Sequence, residues 1–151
     1  MNRQETADWL KRRVAVYYKR KARVCFFELG LNPKGRLRAD VFVLAMSGHI
    51  VVVEVKSSVP DFKAGVHKWV DGYMPLCNQF YCAVTTEIFA KIKALIPKGV
   101  GVFIFDESDG RKKPKILKAV NRKLDPELSR SLFIRAAFRN SDTTNRKNRR
   151  A

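Results

Sequence analysis

The order of apolar and polar positions along the chain predicts a protein of alternating helices and strands. Apolar residues recur at helical spacing in four segments, 6–21, 60–76 (ending at about residue 74 or 76), 87–96 and 126–138. Runs rich in β-branched and aromatic residues predict six strands, at 23–29, 38–45, 50–56, 79–85, 99–105 and 115–120. Such alternation is typical of a mixed α/β sheet flanked by helices.

The connection between the second and third predicted strands decides which side chains face each other. A glycine near its tip is typical of a hairpin. If residues 46–48 form the loop, Asp40 lies opposite Glu54 on the neighbouring strand. A two-residue turn at 47–48 would instead place Asp40 opposite Val55. The first arrangement therefore requires an odd loop or a bulge.

Two charged residues interrupt the third strand, which is otherwise apolar. Glu54 and Lys56 alternate with Val53 and Val55, so both project from one face at the carboxyl end of the strand. A buried charge is costly unless it is paired or binds a metal ion. If Asp40 lies opposite Glu54, both carboxylates are within reach of a shared cation. The alternative is that these acids form ion pairs, for which the candidate partners are Lys56, Arg36 and Arg38.

Oxygen ligands indicate which metal ion such a site would bind. The carboxylates of Asp40 and Glu54 and the backbone carbonyl of Val55, completed by water, suit Mg²⁺ or Mn²⁺. The chain has 2 histidines, too few for a zinc cage. Beside such an ion, Lys56 could hold or deprotonate an attacking water and offset phosphorane charge. Asp40, Glu54 and Lys56 are therefore the predicted catalytic residues for phosphodiester hydrolysis.

The composition predicts a single basic domain. The 151 residues carry 31 Lys and Arg against 14 Asp and Glu, a formal charge of +17, and 46% apolar residues suffice for one core. We expect the folded domain to cover 1–138 and residues 139–151 to form a basic, disordered tail. A charge this large calls for an anionic partner, either nucleic acid or an acidic membrane surface.

Membrane insertion and secretion are not expected from the sequence. No apolar run approaches the ~20 residues of a membrane span, and the amino terminus lacks the apolar segment of a secretory signal. A cytoplasmic protein is therefore expected. Its cysteines are odd in number and without metal-ligand spacing, which favours reduced side chains in the core at Cys25, Cys77 and Cys82.

Basic residues cluster in three segments, 11–23, 111–123 and 139–150, as expected for phosphate contacts. The individual candidates for nucleic-acid binding are Arg36, Arg38, Lys68, Trp69, Lys112 and Lys113. Trp69 would stack on a base, with the alternative that it belongs to the core. The alternative for each charged run is a solvated face.

At the acidic residues the sequence resembles the PD-(D/E)XK nuclease superfamily. The core of that superfamily runs α-β-β-β-α-β, with Asp on the second strand and (D/E)XK on the third. Asp40 and Glu54-Val55-Lys56 match these positions, and Ala39 stands where the eponymous Pro would be. The resemblance implies a restriction-endonuclease-like fold and nuclease chemistry.

Further candidates follow from this resemblance, because some of these nucleases use an extra carboxylate from a helix or strand. Glu5 and Glu28 could supply it, with the alternatives that Glu5 complements the amino end of the first helix and that Glu28 is a surface residue. Ser57 could contact a phosphate or end the strand. Asp61 could form a hydrogen bond in the active site or cap the second helix.

More narrowly, residues 36–105 resemble the MmcB-type DNA repair protein family. The matching positions are Arg38-Ala39-Asp40, Val53-Glu54-Val55-Lys56-Ser57-Ser58, Asp61-Phe62, Lys68-Trp69, Tyr73, Cys77-Asn78 and Phe80-Tyr81-Cys82-Ala83-Val84. Asn78 stands where those proteins usually have Asp. The resemblance implies a DNA-processing role in repair.

The sequence thus predicts a Mg²⁺-dependent DNA nuclease that acts in DNA repair or processing. One alternative is a non-catalytic module that binds DNA structures on the same fold. Another is a Holliday-junction resolvase, which would need a homodimer. RNA as the substrate also stays open.

Overall fold

A six-stranded sheet forms the centre of the protein. The computed structural model describes residues 1–33, 36–109 and 113–150, with side chains as far as residue 139. The strands are β1 (Val24–Gly30), β2 (Arg38–Leu44), β3 (Ile50–Val55), β4 (Gln79–Thr85), β5 (Gly101–Phe105) and β6 (Lys115–Leu117), in that spatial order. β3, β4 and β5 run parallel, and the other neighbours run antiparallel. The prediction of a mixed sheet is confirmed.

Helices cover both faces of this sheet. They are α1 (Arg3–Lys19), α2 (Val59–Gly65), α3 (Thr86–Ile92) and α4 (Pro126–Arg150). Leu10 and Val14 of α1 pack with Val53 on one face. Phe62 of α2 and Leu132 of α4 belong to the apolar cluster on the other face. The result is the predicted layered α/β architecture. No helix within the described ranges is both long and apolar enough to span a membrane.

The first helix begins earlier than the apolar pattern predicts. Asn2 accepts a hydrogen bond from the amide of Glu5 at 2.9 Å, and the Glu5 carboxylate accepts one from the amide of Asn2 at 2.9 Å. This reciprocal capping box satisfies two amides that a helix start leaves without partners. Residues 3–5 are polar, so the helix start is set by capping rather than by apolar periodicity.

The second predicted helix is broken into short turns over the same span. α2 ends at Gly65 and is followed by a 3₁₀ turn (Val66–Lys68), a π turn (Trp69–Tyr73) and a second 3₁₀ turn (Met74–Leu76). A β-branched residue after Gly65, and a proline within the last turn, disfavour a continuous α-helix. The prediction of a single helix over 60–76 is wrong, although its helical character is confirmed.

The last helix is longer than the prediction, which ended it at residue 138. α4 continues to Arg150. Because the side chains of 140–150 lie outside the described residues, the division into a domain of 1–138 and a basic tail of 139–151 stays a prediction.

Asn78 joins three segments at the amino end of β4. Its Oδ1 accepts from the amide of Ile50 at 2.7 Å, and its Nδ2 donates to the carbonyl of Arg122 at 2.8 Å. Two backbone bonds reinforce the same junction. The side chain at this position therefore has a structural role, and it needs both a donor and an acceptor.

We expect Asn78→Asp to lower stability by about 1–3 kcal/mol, because a carboxylate cannot donate to the Arg122 carbonyl. In a chain of this size that corresponds to a Tm lowered by roughly 2–4 °C for each kcal/mol. Thermal unfolding checks the change, with Asn121→Asp as control. The Oδ1 of the exposed Asn121 lies 3.1 Å from Nε2 of His49, and an aspartate retains that oxygen. Equal Tm values for the two variants would contradict the role assigned to Asn78.

Candidate active site

The hairpin between β2 and β3 has the loop that places two acids opposite each other. The amide of Ala45 donates to the carbonyl of His49 at 3.0 Å, so residues 46–48 form the connection. Gly48 has a φ of +88°, a left-handed conformation that glycine adopts without steric cost. Continued along the strands, this register brings Asp40 opposite Glu54. The prediction of an odd loop is confirmed.

Beyond the last ladder pair, the side chains of these acids accept the hydrogen bonds of the opposite strand. The amide of Asp40 donates to Oε1 of Glu54 at 3.0 Å, and the amide of Val55 donates to Oδ2 of Asp40 at 2.9 Å. The two carboxyl groups also lie within hydrogen-bonding reach of each other. Each acid is thus fixed by the strand that carries the other, which pre-organises the pair.

Burial makes two adjacent negative charges costly at this position. β3 is buried along its whole length, and Glu54 is only 6% exposed. Desolvation and the neighbouring Asp40 carboxylate raise the pKa of Glu54 well above its usual range. Desolvation raises the pKa of the half-buried Asp40 as well. Two such groups in contact can share a proton, or they can hold a cation.

The donor atoms of this pair suit a hard divalent cation. Within the described part of the chain, no three side chains of His, Cys, Asp or Glu come together as a metal-binding group. Mg²⁺ is commonly held by one or two carboxylates and keeps several waters, so two acids are a sufficient protein contribution. The carbonyl of Val55 stays a prediction as the backbone ligand.

Lys56 extends from the same end of β3 into space that a glycine leaves open. It is 9% exposed, and its Nζ lies 3.7 Å from Oδ1 of Asp61. A Cβ added to Gly65 of α2 would lie 2.5 Å from Nζ and 3.3 Å from Cε of Lys56. The positive charge of Lys56 lowers the pKa of Glu54, as expected for an amine at the same end of β3. The three predicted catalytic residues therefore lie at the same end of the paired strands β2 and β3, and the ion-pair partner of Lys56 there is Asp61.

Glu28 on β1 lies near the pair, held by two basic residues. Lys11 Nζ lies 2.6 Å from its Oε1, and Arg38 Nε lies 2.9 Å from its Oε2. Its φ of +54° is uncommon for a residue with a side chain. The negative charge of Glu28 raises the pKa of Asp40. The alternative that Glu28 is an ordinary surface residue therefore does not describe it. Its role as an additional metal ligand stays a prediction.

The other candidate acids and hydroxyls serve mainly as helix caps. Glu5 is exposed and belongs to the capping box of α1, in agreement with the alternative that it complements the amino end of the first helix. Ser58 caps α2 by accepting from the amide of Asp61 at 3.2 Å. The amide of Ser57 donates to Oδ2 of Asp61 at 3.4 Å. Asp61 therefore supports the start of α2 and forms an ion pair with Lys56, while its hydrogen bond in an active site stays a prediction.

The candidates for nucleic-acid binding differ in how far their side chains are buried. Trp69 is 1% exposed and packs against Phe62 with ring centroids 5.3 Å apart, so it cannot stack on a base. That prediction is wrong, and the core alternative applies. The exposed candidates are Arg36, Arg38, Lys68 and Lys113. Lys112 lies outside the described residues.

Three contacts at the site carried no specific signal in the sequence. Lys11 was one of many basic residues in segment 11–23, and nothing distinguished it as the partner of Glu28. Gly65 was one glycine within a predicted helix. Tyr73 has the core position expected for it, but its hydroxyl also donates to the carbonyl of Arg38 at 3.1 Å, which fixes the start of β2.

A shallow cavity of about 490 Å³ opens between the first turns of α1 and α2. Its lining residues are Arg3, Gln4, Ala7, Ser57, Pro60 and Asp61. One lining residue, Asp61, is the ion-pair partner of Lys56, and another, Ser57, follows the carboxyl end of β3, the edge at which α/β sheets usually bind ligands.

Comparison with known proteins gives one family and one structural relative. A family model described as DNA repair protein MmcB-like matches residues 1–148. A search of curated proteins finds no match. Among solved structures, the chain is similar to a protein of unknown function from Silicibacter pomeroyi, with 29% identity and a TM-score of 0.76. That similarity covers 92% of this chain and 88% of the other.

Proposed function

The chain belongs to the MmcB-like family of DNA repair proteins, and we propose that it is a divalent-cation-dependent DNA nuclease. In this proposal Asp40 and Glu54 bind Mg²⁺ or Mn²⁺ together with the carbonyl of Val55, and Lys56 is the catalytic lysine. The proposal includes a restriction-endonuclease-like fold and a place in the PD-(D/E)XK superfamily. The described order of α1, three antiparallel strands, α2 and the parallel β4 supports that assignment.

One observation carries the proposal. Two acids from adjacent strands bond to each other's backbone, at the end of β3 from which a nearly buried lysine extends. In the described structure Lys56 forms its ion pair with Asp61, so an ion pair with this lysine does not account for the two acids with raised pKa values. Such perturbed groups at the binding edge of a sheet are typical of functional sites.

In the proposed reaction the metal ion and the residues of the site would have different roles. When bound, the metal ion polarises a phosphoryl oxygen and stabilises the leaving oxyanion. Asp40 and Glu54 position that charge because their backbone contacts fix both side chains. Lys56 donates hydrogen bonds to the attacking water or to the developing negative charge on phosphorus. Asp61 orients the Lys56 ammonium through their ion pair.

A cleavage assay tests this function. The wild-type protein is incubated with single-stranded, duplex, flap and four-way DNA, in Mg²⁺ or Mn²⁺ and in EDTA. We expect cleavage of at least one substrate that requires the divalent cation. Cleavage that persists in EDTA would contradict the metal-dependent mechanism.

A non-catalytic DNA-binding module is the second candidate. Only two acidic side chains meet at the site within the described residues, and Lys56 already has Asp61 as a partner. This candidate predicts DNA binding without cleavage in every cation and on every substrate above. A junction resolvase would instead cleave four-way DNA preferentially, and the homodimer it needs stays a prediction.

The binding of Mg²⁺ should strengthen as pH rises. Because burial and mutual repulsion raise the pKa of Glu54, the metal-free pair holds a proton that the cation must displace. Displacing one proton makes the apparent Kd fall by about tenfold per pH unit below that raised pKa. Titration calorimetry in two buffers of different ionisation enthalpy counts the released protons. An affinity independent of pH would show that the acids are already ionised without metal.

A further inference from the structure

A basic groove lies along the carboxyl-terminal half of α1, away from the acidic pair. It has a volume of about 450 Å³ and runs between α1 and the residues around β6. Its cationic lining residues are Arg13, Arg20, Lys21 and Lys113. Among the described residues that line it, none is acidic. The groove is therefore a concentrated site of positive potential.

The groove unites two basic segments that are distant in sequence. Arg13, Arg20 and Lys21 come from segment 11–23, and Lys113 comes from segment 111–123. A solvated charged face needs no such convergence, and like charges that share one concave surface repel each other. An anionic ligand relieves that repulsion, so the arrangement points to polyanion binding.

Aromatic rings hold two of these cations in place. Lys21 Nζ lies 5.1 Å from the ring centroid of Tyr17, and the guanidinium of Arg13 lies 5.9 Å from the ring centroid of Phe105. Tyr17 in turn packs edge-on against Phe103, with the ring centroids 5.2 Å apart. Cations that are positioned before binding lose less entropy when a ligand arrives.

The two flanks of α1 serve different surfaces. Lys11 reaches Glu28, beside the acidic pair. Arg13, Tyr17 and Arg20, spaced at helical intervals, line the groove on another side of the same helix. A nucleic acid bound in the groove would therefore contact a surface distinct from the catalytic one.

We propose that this groove binds the phosphates of a single-stranded segment of DNA. A basic groove that is also lined by a half-buried tyrosine and by apolar side chains, here Tyr17 with Val16, Pro114 and Ile116, has a composition typical of a single-strand site. A duplex presents its phosphates on a wide convex surface, which a groove of this volume does not accommodate. The inference rests on the proposed function for DNA as the partner, and it specifies a substrate with a single-stranded branch. It does not depend on cleavage.

Charge reversal in the groove tests the proposal. The full-length double variant Lys21→Glu/Lys113→Glu is compared with Lys93→Glu/Lys98→Glu, which makes the same change of net charge at exposed residues that follow α3. Binding of a labelled oligo-dT strand is measured by fluorescence anisotropy in EDTA at several salt concentrations. The groove variant should bind about tenfold more weakly or worse, and its salt slope should fall by about 1.4, since each lost phosphate contact on a single strand removes about 0.7. The control should change much less, and equal weakening of both variants would overturn the proposal.

Lysine acylation of the wild-type protein gives an independent measurement. With oligo-dT bound, Lys21 and Lys113 should be protected, whereas Lys93 and Lys98 should react as before. Unchanged reactivity of Lys21 and Lys113 would overturn the groove assignment. Protection of these lysines without any cleavage of DNA would support binding in the groove and contradict the proposed nuclease activity. Cleavage without protection would support the nuclease activity and contradict binding in the groove.

Discussion

Glu54→Gln is expected to remove most cleavage activity while making the metal-free protein more stable. Gln keeps an oxygen that can accept from the amide of Asp40, but it has no charge with which to bind a cation. The kcat should therefore fall by about 10³-fold, the size of effect seen when one main electrostatic group of a site is lost. Loss of activity with a gain of stability is the signature of a residue kept for function.

The gain of stability follows from proton linkage. Between the usual pKa of a glutamate and the raised pKa of Glu54, the native protein holds a proton that the unfolded chain has released. Stability therefore falls as pH rises through that window, and the cost of the buried charge is largest at alkaline pH. Gln removes this cost, and each kcal/mol regained raises Tm by roughly 2–4 °C.

Two measurements check the Glu54 prediction. The first is kcat in Mg²⁺. The second is Tm in EDTA at about pH 8, where the raised pKa of Glu54 lowers the stability of the folded protein. Glu127→Gln, at an exposed position in the first turn of α4, is the matched control and should change neither quantity appreciably. If Glu54 and Lys56 formed a stabilising ion pair, Glu54→Gln would instead lower Tm, and Glu54 would be a structural residue rather than a metal ligand.

Gly65→Ala is expected to lower kcat by about 10²-fold with little change in metal binding. The new Cβ would lie 2.5 Å from Nζ of Lys56, so the end of this flexible side chain must move. A displacement of about 1 Å at a catalytic group can reduce the rate by that factor. The fold should tolerate the change, because the atom that gives way is not backbone.

Gly72→Ala provides the control for this substitution. A Cβ at Gly72 would meet the two methyl groups of Leu37 at 3.4 and 3.6 Å and Cβ of Lys68 at 4.0 Å, and no atom of Lys56 is among these nearest neighbours. Lys56→Met sets the lower limit of activity for a site without the ammonium. An unchanged kcat for Gly65→Ala, with Lys56→Met inactive, would show that the position of the ammonium has no effect.

The central strands were predictable because local rules decide them, whereas their register depended on a loop length that the sequence left open. Alternation of charged and apolar residues along 53–56 indicated which side chains share a face. The length of the loop at 46–48 then decided that Asp40 faces Glu54 rather than Val55. β4 was predicted with its observed bounds, because turn-forming residues bound a run of buried ones.

The features that the sequence did not predict depend on tertiary contacts. The helical pattern of 60–76 carries no information on where the helix breaks into π and 3₁₀ turns, and those turns direct Trp69 into the core. The positive φ of Glu28 is rare for such a residue and is stabilised in the fold by Lys11, Arg38 and the guanidinium of Arg139, which donates to the carbonyl of Glu28 at 2.8 Å. The room for Lys56 depends on the approach of α2 to β3.

The position of a bound Mn²⁺ ion tests the central claim most directly. A crystal of the protein soaked in Mn²⁺ should show an anomalous peak between the carboxylates of Asp40 and Glu54, with the Lys56 ammonium beside it. The same peak should be missing from Glu54→Gln. Wild-type density that shows the Lys56 ammonium between the two carboxylates, and no anomalous peak there, would contradict the account.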